Sequence, residues 1–441
     1  MHASEQRRGG DNSGVILTVG FGTTVAMWVA GYLLRLPGVE VAPAVVGPVL
    51  VALLIGGGGV AAWFGRRGWR SGLWAGALAS LLNLLVLGSL LAAPEPNRLR
   101  PSALLWLPGS LLLGAGLGAL GGALGARWRR TLRAGPSWNG AFAAVAAAAT
   151  LALLAVGGLV TSHGAGLAVV DWPNSFGYNM FLYPLSRMTG GVYFEHAHRL
   201  FGSLVGLTTV VLAVRLWVVE RRRSVRWLSL AAAVMVSVQG VLGGLRVTGT
   251  LTLSTDAAAM APSTGLAAVH GVLGQLFFAT LVGLAVLTSR TWTTGGCAGT
   301  VPVPAADRLL TVGLAGAVVV QLVLGALQRH LATGLLVHIT MAAALAALAA
   351  AAGGRLASLG PPAAPLPAWG TALLVVAVAQ ILLGLAALAA VGGLDAEAPR
   401  AGWRAIVTTL HQTTGAILLG TAVVTALLAH RQPRTPGSSG P

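Results

Sequence analysis

Residues 43–63 read PAVVGPVLVALLIGGGGVAAW, a run of 21 residues without a single charged side chain. A helix needs about 20 consecutive, mostly apolar residues to cross the hydrocarbon core of a bilayer. Only 9% of the 441 residues are charged and 55% are hydrophobic, whereas soluble domains carry about 25% charged residues. The sequence therefore predicts an integral membrane protein.

Eleven further apolar runs extend this prediction to an all-α integral membrane fold with about twelve transmembrane helices. The predicted spans are residues 15–34, 43–63, 72–93, 103–125, 139–160, 195–218, 227–246, 265–288, 308–327, 335–352, 368–391 and 404–429.

The net charge of +17 would suit a nucleic-acid partner, but the basic residues indicate membrane topology instead. All 28 are arginine, and most lie in short loops between apolar runs. One set of loops and termini holds 18 of them and the opposite set holds 9, with Arg215 inside a span. Positive loops face the cytoplasm. We therefore predict a multi-pass plasma-membrane protein with both termini cytoplasmic and no nucleic-acid partner.

The distribution of histidine divides the chain into regions. The first 134 residues contain one histidine, His2, and the remainder contains eight. We predict an N-terminal region of four helices over residues 1–134, to which no chemistry can be assigned. A first four-helix bundle over residues 135–300, a second over 301–430 and a disordered tail over 431–441 complete the predicted organisation.

An internal repeat relates the two bundles. His270 follows a glutamine by 31 residues, and so does His411. His198 precedes His270 by 72 residues, and His338 precedes His411 by 73. The spacings predict that the last eight helices are two copies of one four-helix unit in the same orientation.

Four histidines carry the strongest chemical signal. His198, His270, His338 and His411 each fall within roughly the first two turns of an outside-to-inside helix, which places all four in the outer leaflet. Ionisable residues inside a membrane are candidate functional sites, and imidazoles on neighbouring helices can bind a haem iron from both faces. Hydrogen bonding within the bundle is the alternative for a single histidine. A zinc or copper site usually draws its ligands closer in sequence or adds cysteine and carboxylates.

The segment EHAHR, residues 195–199, is the most specific motif. Glu195 and His198 are three residues apart and share a helix face. The carboxylate could act as a proton acceptor or stabilise a cationic intermediate, or it could simply cap the helix at its positive end. Arg199 and Arg246 could pair with carboxylates such as haem propionates, or extend to lipid headgroups.

Five segments together resemble the haem A synthase family over about residues 139–430. They are GGLVTSHGAGLAVVDWPNSFG from residue 157, EHAHRLFGSLVGL from 195, QGVLGGLRV from 239, AAVHGVLGQLFF from 267 and TLHQTTGAILLG from 409. The resemblance implies eight helices in two halves. It also implies an oxidoreductase that converts the C8 methyl group of haem O to a formyl group, giving haem A for terminal oxidases.

The resemblance also implies roles for individual residues. His198 and His270 would bracket the substrate haem, and His338 and His411 would ligate a haem b cofactor. Glu195 would be the catalytic acid, with Arg199 beside the substrate haem.

Two features depart from the family pattern. Many bacterial members have two cysteines in the first outer loop, where this chain has Val169 and Ser175, so a thiol–disulfide relay through that loop is absent. The four N-terminal helices are additional, and they lack the Asp-rich motif of a prenyltransferase, so we do not interpret them as a fused haem O synthase.

The remaining candidates are weaker. His163 and His330 hold equivalent places at outer helix ends, where an interface position is favoured over contact with propionates, and His196 is expected to face away from His198. The aromatic residues of the outer loop suit a membrane-interface belt; alternatively the loop covers the substrate haem edge, with Asp171 holding it through backbone hydrogen bonds.

Two other functions stay open beside the enzyme. A di-haem membrane cytochrome would share the four histidines but needs no carboxylate beside one iron only. A transporter is least favoured, because the polar residues lie near one face of the membrane and not at its midplane. Besides haem O and the lipid bilayer, candidate partners are haem O synthase, terminal-oxidase assembly proteins and a second copy of the chain.

Overall fold

The computed structural model describes residues 11–127, 135–250, 256, 260–294, 302–360, 363–392 and 402–432. Within these ranges the protein is helical, without a named strand, and twelve helices are long and apolar enough to cross a membrane. The predicted fold class, an all-α membrane protein with twelve spans, is therefore confirmed. The predicted tail beyond residue 432 lies outside the described residues.

The twelve long helices are numbered here in chain order. They are α1 Asn12–Leu34, α2 Pro43–Phe64, α3 Trp69–Leu90, α4 Ala103–Arg127, α5 Trp138–Ser162, α6 Gly190–Val219, α7 Arg223–Thr248, α8 Thr264–Thr288, α9 Ala305–Leu331, α10 Leu335–Ala357, α11 Leu366–Gly392 and α12 Gly402–Arg431. A one-turn helix, Arg290–Thr293, follows α8, and two 3₁₀ turns, Met180–Leu182 and Leu185–Arg187, lie between α5 and α6.

The outer start of α6 was predicted too late. The helix begins at Gly190, five residues before the predicted residue 195, and α12 begins two residues before its predicted start. His198 and His411 consequently lie in the third turn of their helices and not in the first two. Glycines such as those at the start of α6 are typical of loops, which is why the sequence places the helix start later. In the structure Gly190 has a φ of 51° and lies at the bend where the helix begins.

Large apolar side chains cover the outside of the helices. Leu104 is 81% exposed, Leu336 80% and Leu112 74%. Leucines exposed to this degree on many helices would make a soluble protein aggregate, but lipid chains solvate them. The exposed surface therefore agrees with the membrane assignment made from helix length.

Helices α1–α4 form one group, the N-terminal region, in which glycines bring backbones close together. A Cβ added to Gly58 of α2 or to Gly72 of α3 would collide with the backbone carbonyl of Gly118 on α4. Small residues of this kind permit the close van der Waals packing that holds helices together in lipid. Close helix packing thus explains why these helices contain many glycines.

The last eight helices form two closed rings. In the first ring α5 contacts α6, α6 contacts α7, α7 contacts α8 and α8 returns to α5. In the second ring α9, α10, α11 and α12 contact one another in the same order, and α12 returns to α9. The rings meet where α12 packs on α5 and α8, and where α8 packs on α9. Their origin as copies of one unit stays a prediction.

The N-terminal region is joined to the first ring mainly through α1. Tyr32 of α1 stacks on Tyr193 of α6 with centroids 5.3 Å apart, and the Tyr193 hydroxyl donates to the Tyr32 carbonyl at 2.6 Å. At the opposite end of the interface the Arg215 guanidinium pairs with Asp11 and donates to Asn139 at 2.9 Å. An aromatic contact and a partly buried ion pair thus anchor α6, the helix of the EHAHR motif.

Candidate functional site: two histidine pairs

The four predicted histidines meet in two pairs, one inside each ring. His198 of α6 faces His270 of α8, with ring centroids 6.3 Å apart and ring planes at 78°. His338 of α10 faces His411 of α12, with centroids 6.4 Å apart and planes at 86°. The two pairs have almost the same geometry even though their histidines stand at different distances from the helix starts. The prediction that these side chains come together in twos is therefore realised.

The separation within each pair suits a metal bound between two imidazoles. A metal–imidazole bond is about 2 Å long, and a ring nitrogen lies about 1 Å from its centroid, so two collinear imidazole ligands require roughly 6 Å between centroids. Each pair supplies two protein ligands, which is the number that a haem iron takes axially, whereas a structural zinc site takes four. The donor set and the spacing both fit haem.

Each imidazole lies against a glycine of the preceding helix. The position that a Cβ would take on these glycines is close to the Cε1 atom of the neighbouring ring. The distances are 2.9 Å for Gly157 and His198, 3.3 Å for Gly243 and His270, 3.2 Å for Gly325 and His338, and 3.0 Å for Gly384 and His411. A side chain at any of these four positions would force the facing ring to shift by at least a few tenths of an ångström, so the glycines form a cradle for the imidazoles.

Glutamines four residues before the cradle glycines fix the histidine helices. Gln239 donates to the His270 carbonyl at 3.0 Å, and Gln321 donates to the His338 carbonyl at the same distance. Helix α5 departs from this pattern, since Leu153 stands four residues before Gly157. The Gln-x-x-x-Gly spacing was visible in three helices, but only the structure shows that it serves the histidine of the next helix.

The Nδ1 atoms of three histidines are polar groups that the chain leaves without a partner. Nδ1 of His198, His270 and His411 is buried and makes no hydrogen bond within the described residues. Most buried polar side-chain atoms in folded proteins have a partner, and exceptions often mark a functional site or a group that is bound there. These atoms add to the fit of the two pairs to a ligand.

Glu195 is buried at the outer end of the first ring, with 4% of its surface exposed. Its Oε1 accepts a hydrogen bond from the Arg199 guanidinium at 2.9 Å, and its Oε2 accepts one from the Val169 backbone N–H at 2.9 Å. The carboxylate lies in the second turn of α6 and not at its first residues, so a helix-capping role is wrong. Its catalytic role is not tested by these contacts.

Arg199 is occupied by the connection between α5 and α6. Its guanidinium donates to the carbonyl of Asp171 at 2.6 Å, to that of Asn174 at 2.8 Å and to that of Val169 at 2.9 Å. These bonds bind residues 169–174 to the α6 helix next to His198. Direct contact of Arg199 with a substrate haem stays a prediction.

Residues 163–189, named here the outer loop, form a packed structure. Asp171 is 1% exposed and accepts from the Phe176 N–H at 2.6 Å and the Gly177 N–H at 2.8 Å, which confirms its predicted role in holding the loop. Tyr178 and Tyr183 are 4% and 5% exposed, so they form the interior of the loop and the interface-belt interpretation is wrong for these two. Burial also raises the pKa of the Tyr183 hydroxyl, which keeps it neutral.

The outer loop crosses the open end of the first ring. The Trp172 indole packs on Gly244 of α7, the neighbour of the cradle glycine Gly243. The Arg246 guanidinium, also on α7, donates to the Gly166 carbonyl at 3.2 Å. The loop therefore touches both α6 and α7 beside the first histidine pair. In the second ring the corresponding connection between α9 and α10 has only three residues, 332–334.

The other histidines lie outside the pairs. His196 is fully buried, and its Nδ1 is 3.0 Å from the Ser175 hydroxyl, so it faces the outer loop, as expected. His163 stacks on Phe194 at 4.1 Å, and its Nδ1 is 2.9 Å from the Leu159 carbonyl. His330 lies at the outer end of α9 beside α8. Each of the first two has a local structural partner.

Comparison with known proteins gives one family. The family model COX15-CtaA, described as cytochrome oxidase assembly protein, matches residues 140–351. The matched residues span the first ring except for the first two residues of α5, all of α9 and most of α10, and they include His198, His270 and His338. No curated protein matches the chain.

Proposed function

We propose, from the match of residues 140–351 to the family model COX15-CtaA, cytochrome oxidase assembly protein, and from the two histidine pairs, that the chain is a haem A synthase-like oxidoreductase. The reaction would convert the C8 methyl group of haem O to a formyl group and give haem A for terminal oxidases. The observation that carries the proposal is the presence of two imidazole pairs, 6.3 and 6.4 Å apart, in one membrane chain.

The two pairs would have different tasks, because their surroundings differ. We assign the substrate haem to His198 and His270, since only the first ring has the outer loop and the buried carboxylate of Glu195. We assign a haem b cofactor to His338 and His411, whose ring is closed by a three-residue connection. Haem b would supply a redox-active iron that accepts and passes on single electrons.

The residues around the first pair would orient the substrate and manage protons. The cradle glycines set the positions of both imidazoles, which would hold the iron of the substrate haem. The outer loop excludes water from the outer end of the ring, which strengthens electrostatic interactions inside it. Glu195 is three residues before His198 on the same helix face, where its carboxylate would accept a proton or stabilise positive charge near the porphyrin edge.

The net reaction also defines what the chain must receive from elsewhere. Oxidation of a methyl group to a formyl group removes four electrons and adds one oxygen atom. An electron acceptor and an oxygen source are therefore required in addition to the two haems. The twelve candidate spans make the protein a multi-pass membrane protein, and we propose the plasma membrane as its location, with both termini cytoplasmic.

Co-expression with a haem O synthase, followed by chromatography of the extracted haems, tests this function. We expect haem A or its hydroxylated precursor in the purified wild-type protein. We expect Glu195→Gln to retain bound haem but to lose at least about tenfold of the oxidised product, since a positioned acid or base typically contributes about 10²–10⁴-fold. The amide can still accept the Val169 N–H, so the outer loop should stay in place.

Two results would contradict the proposal. Haem B alone in the purified wild-type protein, at two per chain, would favour the di-haem electron carrier. Absence of any Soret absorption would remove both functions. Normal haem A production by Glu195→Gln would dismiss the acid-base role while leaving the enzyme intact.

A further inference from the structure

The N-terminal region reaches the outer loop through a small hairpin between α3 and α4. This outer hairpin, residues 91–100, is closed by hydrogen bonds from the Ala93 N–H to the Arg98 carbonyl and from the Arg100 N–H to the Leu91 carbonyl, both 2.9 Å long. Asn97 stands at its tip with φ of 62°. Asparagine tolerates this left-handed conformation better than most residues, and it directs the side-chain amide away from the hairpin.

The amide of Asn97 binds the backbone of the outer loop at two points. Its Nδ2 donates to the Gly177 carbonyl at 3.3 Å, and its Oδ1 accepts from the Asn179 N–H at 2.5 Å. The Asn97 side chain thus pairs with the Gly177 carbonyl and the Asn179 N–H, on either side of Tyr178. A neighbouring β-strand would make the same two kinds of hydrogen bond to the loop backbone.

Two further contacts support the same attachment. The Tyr178 hydroxyl, which is buried between these points, donates to the Pro94 carbonyl of the outer hairpin at 2.9 Å. The Ser89 hydroxyl at the end of α3 donates to the Phe181 carbonyl at 3.1 Å. A Cβ on the adjacent Gly88 would meet the same carbonyl oxygen at 2.6 Å, so α3 and the loop are in close contact.

From this attachment a series of hydrogen bonds leads to Glu195 on α6, the helix of His198. The Gly177 N–H donates to the Asp171 carboxylate, and the Asp171 carbonyl accepts from Arg199. Arg199 in turn pairs with Glu195, one turn before His198 on α6. The outer hairpin therefore binds residues 177–179, which follow the segment 169–174 bound by Arg199 of α6.

We propose that the N-terminal four-helix region holds the outer loop closed over the first histidine pair, with Asn97 and Tyr178 as positioning residues. The attachment itself depends only on the contacts above, whereas its value for substrate haem rests on the proposed function. The region would then serve the first ring, because the loop that it binds connects α5 and α6 of that ring. Helices α1–α4, which contain no histidine pair, would thus help to keep the substrate site closed.

Hydrogen–deuterium exchange of the full-length protein tests the attachment directly. We expect Asn97→Ala to raise the exchange of residues 175–181 by about fivefold for each lost hydrogen bond, and Tyr178→Phe to have a similar effect. Ser110→Ala on α4 is the matched control, because its hydroxyl donates within its own helix to Leu107. Arg187→Gln removes the hydrogen bond of Arg187 to the Tyr178 hydroxyl and its cation–π contact with the Tyr178 ring, both within the loop, so it separates loss of attachment from loss of loop structure.

Haem retention gives a second measurement on the same variants. We expect Asn97→Ala to release haem from the first pair at least about fivefold faster and to leave the second pair unchanged. Unaltered loop exchange in an Asn97→Ala, Tyr178→Phe double variant would overturn the inference. Faster loop exchange in a protein that binds no haem would support the attachment and refute the proposed function, so the two failures are distinguishable.

Discussion

At the scale of single residues, glycine is as important to the candidate site as histidine. An imidazole that lies 2.9–3.3 Å from the Cβ position of a facing residue must shift by at least a few tenths of an ångström if that residue gains a side chain. Overpacking a site by even one methyl group displaces neighbouring atoms, because protein interiors are closely packed. The four glycines therefore determine where the imidazoles lie, although none can bind a metal.

Valine substitutions on α7 and α9 test this cradle with controls on the same helices. Gly243→Val should displace His270 and release haem from the first pair, and Gly325→Val should displace His338 and release haem from the second. An overpacking cost of about 1–3 kcal/mol corresponds to roughly 5–150-fold weaker binding. Gly240→Val and Gly316→Val should leave haem content unchanged, because nothing lies within 4 Å of their Cβ positions.

The measurement is haem per chain, with the two haems separated by redox titration or by magnetic circular dichroism. Loss of both haems in Gly243→Val and Gly325→Val alike would show that the variants misfold. Full retention of both haems in all four variants would contradict the iron-ligand assignment of the facing histidines.

At the scale of elements, the helices were predictable and the outer loop was not. Twelve apolar runs fixed the number and approximate bounds of the spans, because lipid permits little besides a helix. The four histidines could be selected from the sequence because each lies near the outer end of such a helix and their spacings repeat. The start of α6 was predicted five residues too late, because the helix begins with two glycines. The buried tyrosines of the outer loop were assigned to the membrane interface, since aromatic composition alone does not distinguish an interface belt from a folded loop.

Substitution of Asp171 tests how far the outer loop depends on its own internal hydrogen bonds. Asp171→Ala removes the acceptor of the Phe176 and Gly177 N–H groups, and loss of these charge-assisted bonds in a buried position should cost the loop about 3 kcal/mol or more. We expect rapid proteolysis within residues 171–178, while helix content by circular dichroism stays unchanged. Asp171→Asn retains one acceptor oxygen and should give an intermediate rate. Equal resistance of all three proteins would show that the loop does not depend on this carboxylate.

At the scale of the whole molecule, the two histidine pairs are alike in geometry and different in their surroundings. The connection between α9 and α10 in the second ring has three residues, whereas the corresponding connection between α5 and α6 in the first ring is a 27-residue loop held by α6, α7 and the outer hairpin. The contacts with α7 and with the outer hairpin join residues about 80 positions apart, and no local pattern in the sequence predicts them. This is why the N-terminal region had no assignable role from sequence alone.

The orientation of the molecule in the membrane can be tested with its single cysteine. The arginine distribution predicts that the loop containing Cys297 is cytoplasmic, and the even number of candidate spans places Asn12 and Arg431 on one side of the membrane. A membrane-impermeant maleimide should therefore label the wild-type protein in inverted vesicles and not in intact cells. A Cys297→Ser, Glu95→Cys variant should reverse this result, because Glu95 is exposed on the outer hairpin. Labelling of Cys297 from outside would invert the topology and place both histidine pairs and the outer loop in the cytoplasmic half of the membrane.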